Sequence, residues 1–278
     1  MPLLTEHRLR IGDRRVTLLE GPAGWGECSP LPGYPSDPAV CRRAAETAAR
    51  DGFPRARRDA VPVNALVDGP FAVEAIRGYP AVKIKVNDLA GVALVASVRD
   101  AVGPRVALRV DANGAWDVDT AVFMIERLDR YDLEFVEQPV RTLDDLARVR
   151  RRVSVRVAAD ECIRTVDDAR RLRALDAADI VVLKQQPLGG VRAALDVADA
   201  AGVPAVVSSM METSVGIAAG VALAAALPEV PFACGLATLG ALPGDVTREP
   251  LTPVDGMVHV RAVEPALDLL DRYQDASR

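Results

Sequence analysis

Lysine is nearly missing from this chain. Of its 278 residues 34 are Lys or Arg, and only Lys83, Lys85 and Lys184 are lysines. Arg keeps its proton inside a protein, whereas a crowded, desolvated Lys can give it up. A chain that uses Arg almost everywhere for positive charge therefore keeps its lysines where a removable proton is wanted. Histidine is as scarce, with His7 and His259 alone. Cysteine is sparse too: Cys28, Cys41, Cys162 and Cys234 lie far apart and form no CxxC pair. With no signal-peptide pattern at the N-terminus, this spacing predicts reduced thiols in a cytoplasmic protein. No apolar run is long enough for a membrane. The longest, "VGIAAGVALAAAL", covers residues 215–227, against about 20 for a span; it reads as a buried, Ala-rich helix. Excess positive charge is lacking as well. The net charge is −5, and arginines alternate with acids, as in "DDARRLRALD", which excludes a nucleic-acid footprint.

What is present is a large apolar fraction, 50%, enough for one big core or a large plus a small one. From residue 61 a short Val/Ile-rich run, a polar or charged residue at its end, and a helical segment recur. The strand-like runs are "VPVNALV" (61–67), "AVKIKV" (81–86), "RVALRVDAN" (105–113), "LEFVEQP" (133–139), "RVAADE" (156–161), "DIVVLKQ" (179–185), "PAVVSS" (204–209) and "FACGL" (232–236). From Lys85 to Asp111, Glu137, Asp160 and Lys184 the steps are 26, 26, 23 and 24 residues. That is the length of one βα unit, so the pattern predicts an α/β fold of the (β/α)8 TIM-barrel type. An open doubly wound sheet fits less well, because no glycine-rich phosphate fingerprint follows the first strand. Residues 1–58 read differently: a hairpin turning at Gly12-Asp13, a Gly/Pro-rich loop, and a helix with Pro38 near its first turn. The expected organisation is a small α+β capping domain (1–58), the barrel (59–245), and a tail (246–278) whose extended "GMVHVRAV" returns to the cap.

The ionisable residues gather at the predicted C-terminal strand ends. Lys83 and Lys85 lie on the second strand, Asp111 on the third, Glu137 on the fourth, Asp160 on the fifth and Lys184 on the sixth. In a TIM barrel these ends converge on the face that carries active sites. One Asp or Glu ending a strand is ordinarily a turn former or helix cap. Three on successive strands, flanked by the chain's only lysines, ask for another reason. Oxygen-only ligands suit a hard divalent cation such as Mg2+, leaving positions for water and a substrate carboxylate. Such a site fits proton abstraction next to a carboxylate, where a cation takes up the developing charge and a lysine of lowered pKa acts as base. Lys83 beside Lys85 supplies that lowering.

The motifs "KIK", "DANGAW", "EQP", "ADE", "LKQ" and "SSMMETSVG", in this order and spacing, resemble the enolase superfamily in its muconate-lactonising subgroup. The resemblance spans residues 61–245. It implies that Asp111, Glu137 and Asp160 bind Mg2+, with Mn2+ as an alternative. It further implies that Lys85 takes the α-proton of a cyclohexadiene carboxylate and returns it to a departing hydroxyl in a syn dehydration. Lys184 would stabilise the enediolate from the opposite face by charge and cation–π contact. An isomerase reading on the same scaffold, as an N-acylamino acid racemase, dipeptide epimerase or cycloisomerase, would use Lys85 and Lys184 as opposed bases. The resemblance gives less direct roles to Lys83 at the substrate carboxylate, Asn113 behind Asp111, and Ser208 and Ser209 at a second substrate carboxylate. Arg109 faces inward and stands equally for substrate contact and for an internal ion pair. The loop from Gly24 to Tyr34 is expected to close over the site. The implied partner is a small carboxylate, with no nucleic acid and no membrane insertion; the oligomeric state stays open.

Overall fold

The computed structural model describes residues 3–275. The chain begins with an antiparallel meander, β1 (Thr5–Ile11), β2 (Arg14–Gly21) and β3 (Gly24–Cys28), followed by helix α1 (Pro38–Asp51). The hairpin turns at Gly12-Asp13, between the paired Ile11 and Arg14, and Gly12 takes a positive φ of 56°. Asp37 caps α1 by accepting from the Ala39 N–H, and Pro38 opens its first turn. The segment expected to be loop from Gly24 onward is in part a strand. Its glycines hide the alternation, and they are needed: a Cβ on Gly26 would lie 2.0 Å from the Ala45 carbonyl oxygen. Only a strand bare at that point lets the Ala44, Ala45, Ala48 and Ala49 face of α1 pack this closely.

There follow β4 (Ala60–Pro62), β5 (Ala65–Val67), α2 (Val73–Ile76), β6 (Ala81–Lys85), α3 (Ala90–Val102) and β7 (Ala107–Asp111). The chain continues through α4 (Val118–Leu128), β8 (Leu133–Glu137), α5 (Leu143–Arg150), β9 (Val157–Ala159), α6 (Val166–Leu175) and β10 (Ile180–Leu183). Then come α7 (Val191–Ala201), β11 (Ala205–Val207) and α8 (Ser214–Ala226). Strands β5 to β11 form one seven-stranded sheet in sequence order, with every neighbour parallel. The helices start where the sequence supplies caps: Asp117 accepts from the Thr120 N–H, and Thr165 with Asp168 makes a reciprocal capping box. Helix α8, the longest apolar run, is buried on all sides. Among the described residues no helix is long and apolar enough to cross a membrane.

Two expectations about strands need correction. The run 61–67 is not one strand, because Pro62 lacks the N–H a parallel ladder would use. It splits into β5 and β4, and β4 pairs antiparallel with β12 (Met257–His259). The run 232–236 makes single bridges in place of a ladder. Cys234 bridges Val63 and Gly235 bridges Ser208, both parallel, so one segment bonds to both edges of the sheet. The tail thus meets the sheet's base through β12, and α9 (Leu267–Tyr273) is followed by Gln274, which bridges Leu9 of β1.

Period-two geometry divides each strand of the curled sheet between two cores. Outward residues pack under the helices. Inward ones form a separate cluster of Phe135, Ala158, Ile180, Val182, Val206 and Phe232. Arg109 lies within this inner layer, 1% exposed. Its Nε donates to Glu134 Oε2 at 2.6 Å, its Nη1 to the Ala233 carbonyl at 2.5 Å, and its guanidinium stacks 4.7 Å from the Phe135 ring. Of the two readings open for Arg109, the internal ion pair is the arrangement found. Losing its acidic partner strands this buried guanidinium, so Glu134→Ala is expected to cost about 3–5 kcal/mol of stability, read as a lowered urea midpoint.

Candidate active site

Register builds the site. Lys85 at the end of β6 pairs across to Asp111 at the end of β7, and Asp111 pairs across to Glu137 at the end of β8. Glu137 faces Ala158 of β9, and two residues on, with the same inward sense, comes Asp160. Lys184 follows β10 directly, two beyond the inward Val182. The carboxylates stand between the lysines in strand order. Asp111, Glu137 and Asp160 are 0%, 2% and 1% exposed. Lys83 and Lys184 are also buried, and Lys85 is partly open to solvent.

The charges meet pairwise. Lys83 Nζ bridges Asp111 Oδ2 at 3.0 Å and Glu137 Oε1 at 2.9 Å. Lys85 Nζ lies 2.7 Å from the same Asp111 oxygen and 2.6 Å from Asn113 Oδ1. Lys184 Nζ lies 2.5 Å from Asp160 Oδ2. Burial opposes the Lys83 and Lys184 charges, but the facing carboxylates outweigh it and hold both ammonium groups above the usual lysine range. Burial likewise opposes the Asp111 charge, and Lys83 and Lys85 outweigh it to hold that carboxyl below its usual range. Glu137 goes the other way: burial first, then the charge of Asp111, push it up to about 8. Counting Glu161 beside them, the mouth of the sheet sets four carboxyl groups against three ammonium groups.

That imbalance tests whether a divalent cation suits the residues. The donors are all oxygen and deeply buried, and Glu161 Oε2 beside them is buried with no hydrogen-bond partner among the described residues. The chemistry fits a hard cation. Among the described residues, no three Asp, Glu, His or Cys side chains are already gathered around one point. Each carboxylate is instead turned onto an ammonium group, so a cation would be held after side-chain rotation.

Several contacts around the site, among them the particular one made by Tyr34 of the expected closing loop, escaped the sequence reading. Tyr34, on the segment between β3 and α1, donates from its hydroxyl to Asp160 Oδ1 at 2.9 Å, and its ring lies 4.0 Å from Lys184 Nζ. Glu161 accepts from Asn113 Nδ2 at 2.8 Å, joining two strand-end loops. Gln138 accepts the Asp160 N–H at 2.7 Å and donates to the Val140 carbonyl at 2.6 Å. Asn113, Gln138 and Met211 all adopt positive φ, at 47°, 39° and 57°. Such non-glycine strain just past strand ends is typical of functional sites, and no feature of a single sequence announces it. A cavity of about 920 Å3 opens beside Tyr34, Lys85, Asn113 and Glu161, and Arg141 and Arg164 also line it. Ser208 and Ser209 do not line this cavity. Ser209 Oγ is 2.7 Å from Thr238 Oγ1, and Ser208 packs on Gly235.

A second buried polar cluster ties the meander to the sheet. Glu27 of β3 accepts from Ser29 Oγ at 2.6 Å, Thr213 Oγ1 at 2.5 Å and the Gly216 N–H at the start of α8 at 2.9 Å. Gln186 accepts the Ser29 N–H at 2.8 Å and donates to Glu212 Oε1 at 3.1 Å. Arg14 donates to the Ser29, Pro30 and Met210 carbonyls.

A parallel βα sheet with acid and base groups at its carboxyl-end mouth defines a class of enzyme scaffold, and the comparisons agree. Residues 71–265 match the family described as Enolase C-terminal domain-like, and residues 1–49 match Enolase N-terminal domain-like; the chain belongs to the enolase superfamily. It is 55% identical over 277 residues to the o-succinylbenzoate synthase of Thermobifida fusca, covering 95% of this chain and 86% of that protein. It is 45% identical to the o-succinylbenzoate synthase of Mycolicibacterium smegmatis, covering 91% of this chain and 81% of that one. Among solved structures, muconate cycloisomerase from Pseudomonas fluorescens superposes with a TM-score of 0.83 at 20% identity, over 98% of this chain and 97% of that one. A dipeptide epimerase from Enterococcus faecalis gives 0.78 at 22%, over 95% and 97%. At these identities the two structures speak for the fold alone.

The cluster at Glu27 yields a pH dependence. Burial, and next the charge of Glu212, push Glu27 from 4.5 up to about 7, against the pull of Ser29 and Thr213. A carboxyl whose pKa rises on folding binds more protons when folded. Its contribution to stability is therefore lost as pH climbs from 4.5 through about 7. Glu27→Gln is expected to flatten that decline. Urea unfolding at about pH 5 and about pH 8 reads the difference, and equal declines in both proteins would refute the assignment.

Proposed function

We propose that this chain is an o-succinylbenzoate synthase. It removes water from 2-succinyl-6-hydroxy-2,4-cyclohexadiene-1-carboxylate to form 2-succinylbenzoate, a step of menaquinone biosynthesis in the cytoplasm. The observation that carries this reading is the 55% identity to the Thermobifida fusca synthase over 95% of the chain. The in-register row of Lys85, Asp111 and Glu137, continued by Asp160 and Lys184, supplies the groups the reaction requires. The sheet is read as a (β/α)8 barrel whose eighth position is filled by the segment bridging Val63 and Ser208. The divisions 1–58, 59–245 and 246–278 are kept as cap, barrel and tail.

Asp111, Glu137 and Asp160 would hold a divalent cation, Mg2+ or Mn2+. When bound, that cation offers positive charge to the substrate carboxylate as the adjacent carbon becomes an anion. Everything else falls to the chain's own side chains. Lys85, the lysine most open to the cavity, takes the proton from the carbon bearing the carboxylate. As an ammonium it hands that proton to the leaving hydroxyl on the same face, giving water and the aromatic ring. Lys184 stays charged against the other side of the ring, where its ammonium favours the electron-rich state. Lys83 places an ammonium between Asp111 and Glu137 and offsets their mutual repulsion. Burial of these groups keeps water from screening them.

The test follows the loss of the cyclohexadiene chromophore in the ultraviolet. Turnover is expected to vanish with a chelator and to return with Mg2+. Lys85→Arg, which keeps charge but gives up no proton, is expected to lower kcat by about 10²–10⁴-fold, and Lys184→Arg to lower it as well. Absence of turnover by folded wild-type protein would overturn the reading. Deuterium exchange at the α-carbon of N-acylamino acids and dipeptides would then examine the isomerase alternative.

A further inference from the structure

Tyr34 is the one residue of the 29–37 segment seen to contact the catalytic charges, and it does so twice. Its hydroxyl holds Asp160 Oδ1 while Lys184 holds Oδ2 of the same carboxylate. Its ring lies over the Lys184 ammonium at 4.0 Å, well inside the range of a cation–π contact. Under the reading proposed above, on which this inference rests, that face of Lys184 belongs to the substrate's own flat, unsaturated ring. Two rings cannot share it.

The segment is built to release its tip. Its start is pinned, because Arg14 donates to the Ser29 and Pro30 carbonyls and Ser29 donates its N–H to Gln186. Its end is pinned where Asp37 caps α1. Between them the backbone bonds locally, Tyr34 N–H to Leu31 and Ser36 N–H to Tyr34. Gly33 carries a positive φ of 83°, with nothing within 4 Å of where a Cβ would stand. The cavity lined by Leu31, Tyr34, Pro35 and Lys85 lies alongside, with room for the displaced ring or an arriving ligand.

We propose that Tyr34 is a placeholder for the substrate ring: it sits on Lys184 and Asp160 until the substrate displaces it, and its departure is part of binding. It acts on the reaction by occupying a position, and takes no part in proton transfer. A ligand that binds only after the ring has left has its affinity reduced by the fraction of molecules in which it has left. Weakening the hold of Tyr34 should therefore tighten binding, whereas deleting a residue that grips the ligand would loosen it.

The experiment measures association rate and affinity of the product, 2-succinylbenzoate, with saturating Mg2+, for wild type, Tyr34→Phe and Tyr34→Ala. Phe keeps the ring and loses the bond to Asp160, whereas Ala loses both. The expected order of affinity is wild type, then Phe, then Ala, with Ala about tenfold tighter and the gain chiefly in association rate. KM should fall in the same order. The conservative Phe variant keeps the test decisive should the Ala protein fold poorly. Weaker or unchanged binding in both variants would overturn the placeholder and leave the assigned reaction standing. A wild-type protein that neither binds 2-succinylbenzoate nor turns over its precursor would overturn the assigned reaction and this inference with it.

Discussion

Three carboxylates held almost dry at the mouth of a parallel sheet set the terms for everything around them. Charges in such a place are costly unless each finds an opposite partner. Asp111, Glu137 and Asp160 find Lys83, Lys85 and Lys184. The balance is incomplete, since Glu161 sits in the same group and Glu137 is pushed up to about 8. This crowding of acidic groups fits a hard cation.

The layer beneath solves a related problem differently. Arg109 is as buried as the carboxylates, but its partners are permanent: Glu134, two carbonyl or amide oxygens, and the faces of two phenylalanines. Its planar fork satisfies several acceptors at once, and it does not line the cavity at the mouth of the sheet. The inner face of the curled sheet is thereby divided along each strand into a closed structural layer and an open polar one, two residues apart. Lys83 and Arg109 share a register row, and the longer reach of Lys83 upward to Asp111 and Glu137 puts it in the polar layer.

The meander is joined to the sheet by buried polar groups as well as by apolar packing. Glu27 accepts from the buried N–H groups at the start of α8, where an acceptor is favoured by the helix end. Arg14 and Gln186 fasten the base of the Tyr34 segment to the loops following β11 and β10. The same joint that holds the two parts together therefore decides where Tyr34 enters the site.

Much of this was legible in the residues. The βα period of 23 to 26 residues, the inward parity of Lys83, Lys85, Asp111, Glu137, Asp160 and Lys184, and the caps at Asp117 and Thr165 are local or periodic properties, and each is written in the order of side chains. Strand β3 was hidden by glycines whose purpose is a contact with α1, and the break at Pro62 by a partner strand almost 200 residues away. Tyr34 stands 126 residues from Asp160 and Glu27 186 from Thr213, so nothing along the chain marks them as neighbours. The positive φ of Asn113 and Gln138 is likewise imposed by surroundings. By itself the sequence determined which charges lie on the inner face and at the strand ends, because alternation and period are geometric consequences of the backbone. Tertiary structure alone decided which of them touch, which lie deep in the inner layer, and which distant ring covers them, because contact is settled by how the sheet curls and where the N-terminal meander is pinned.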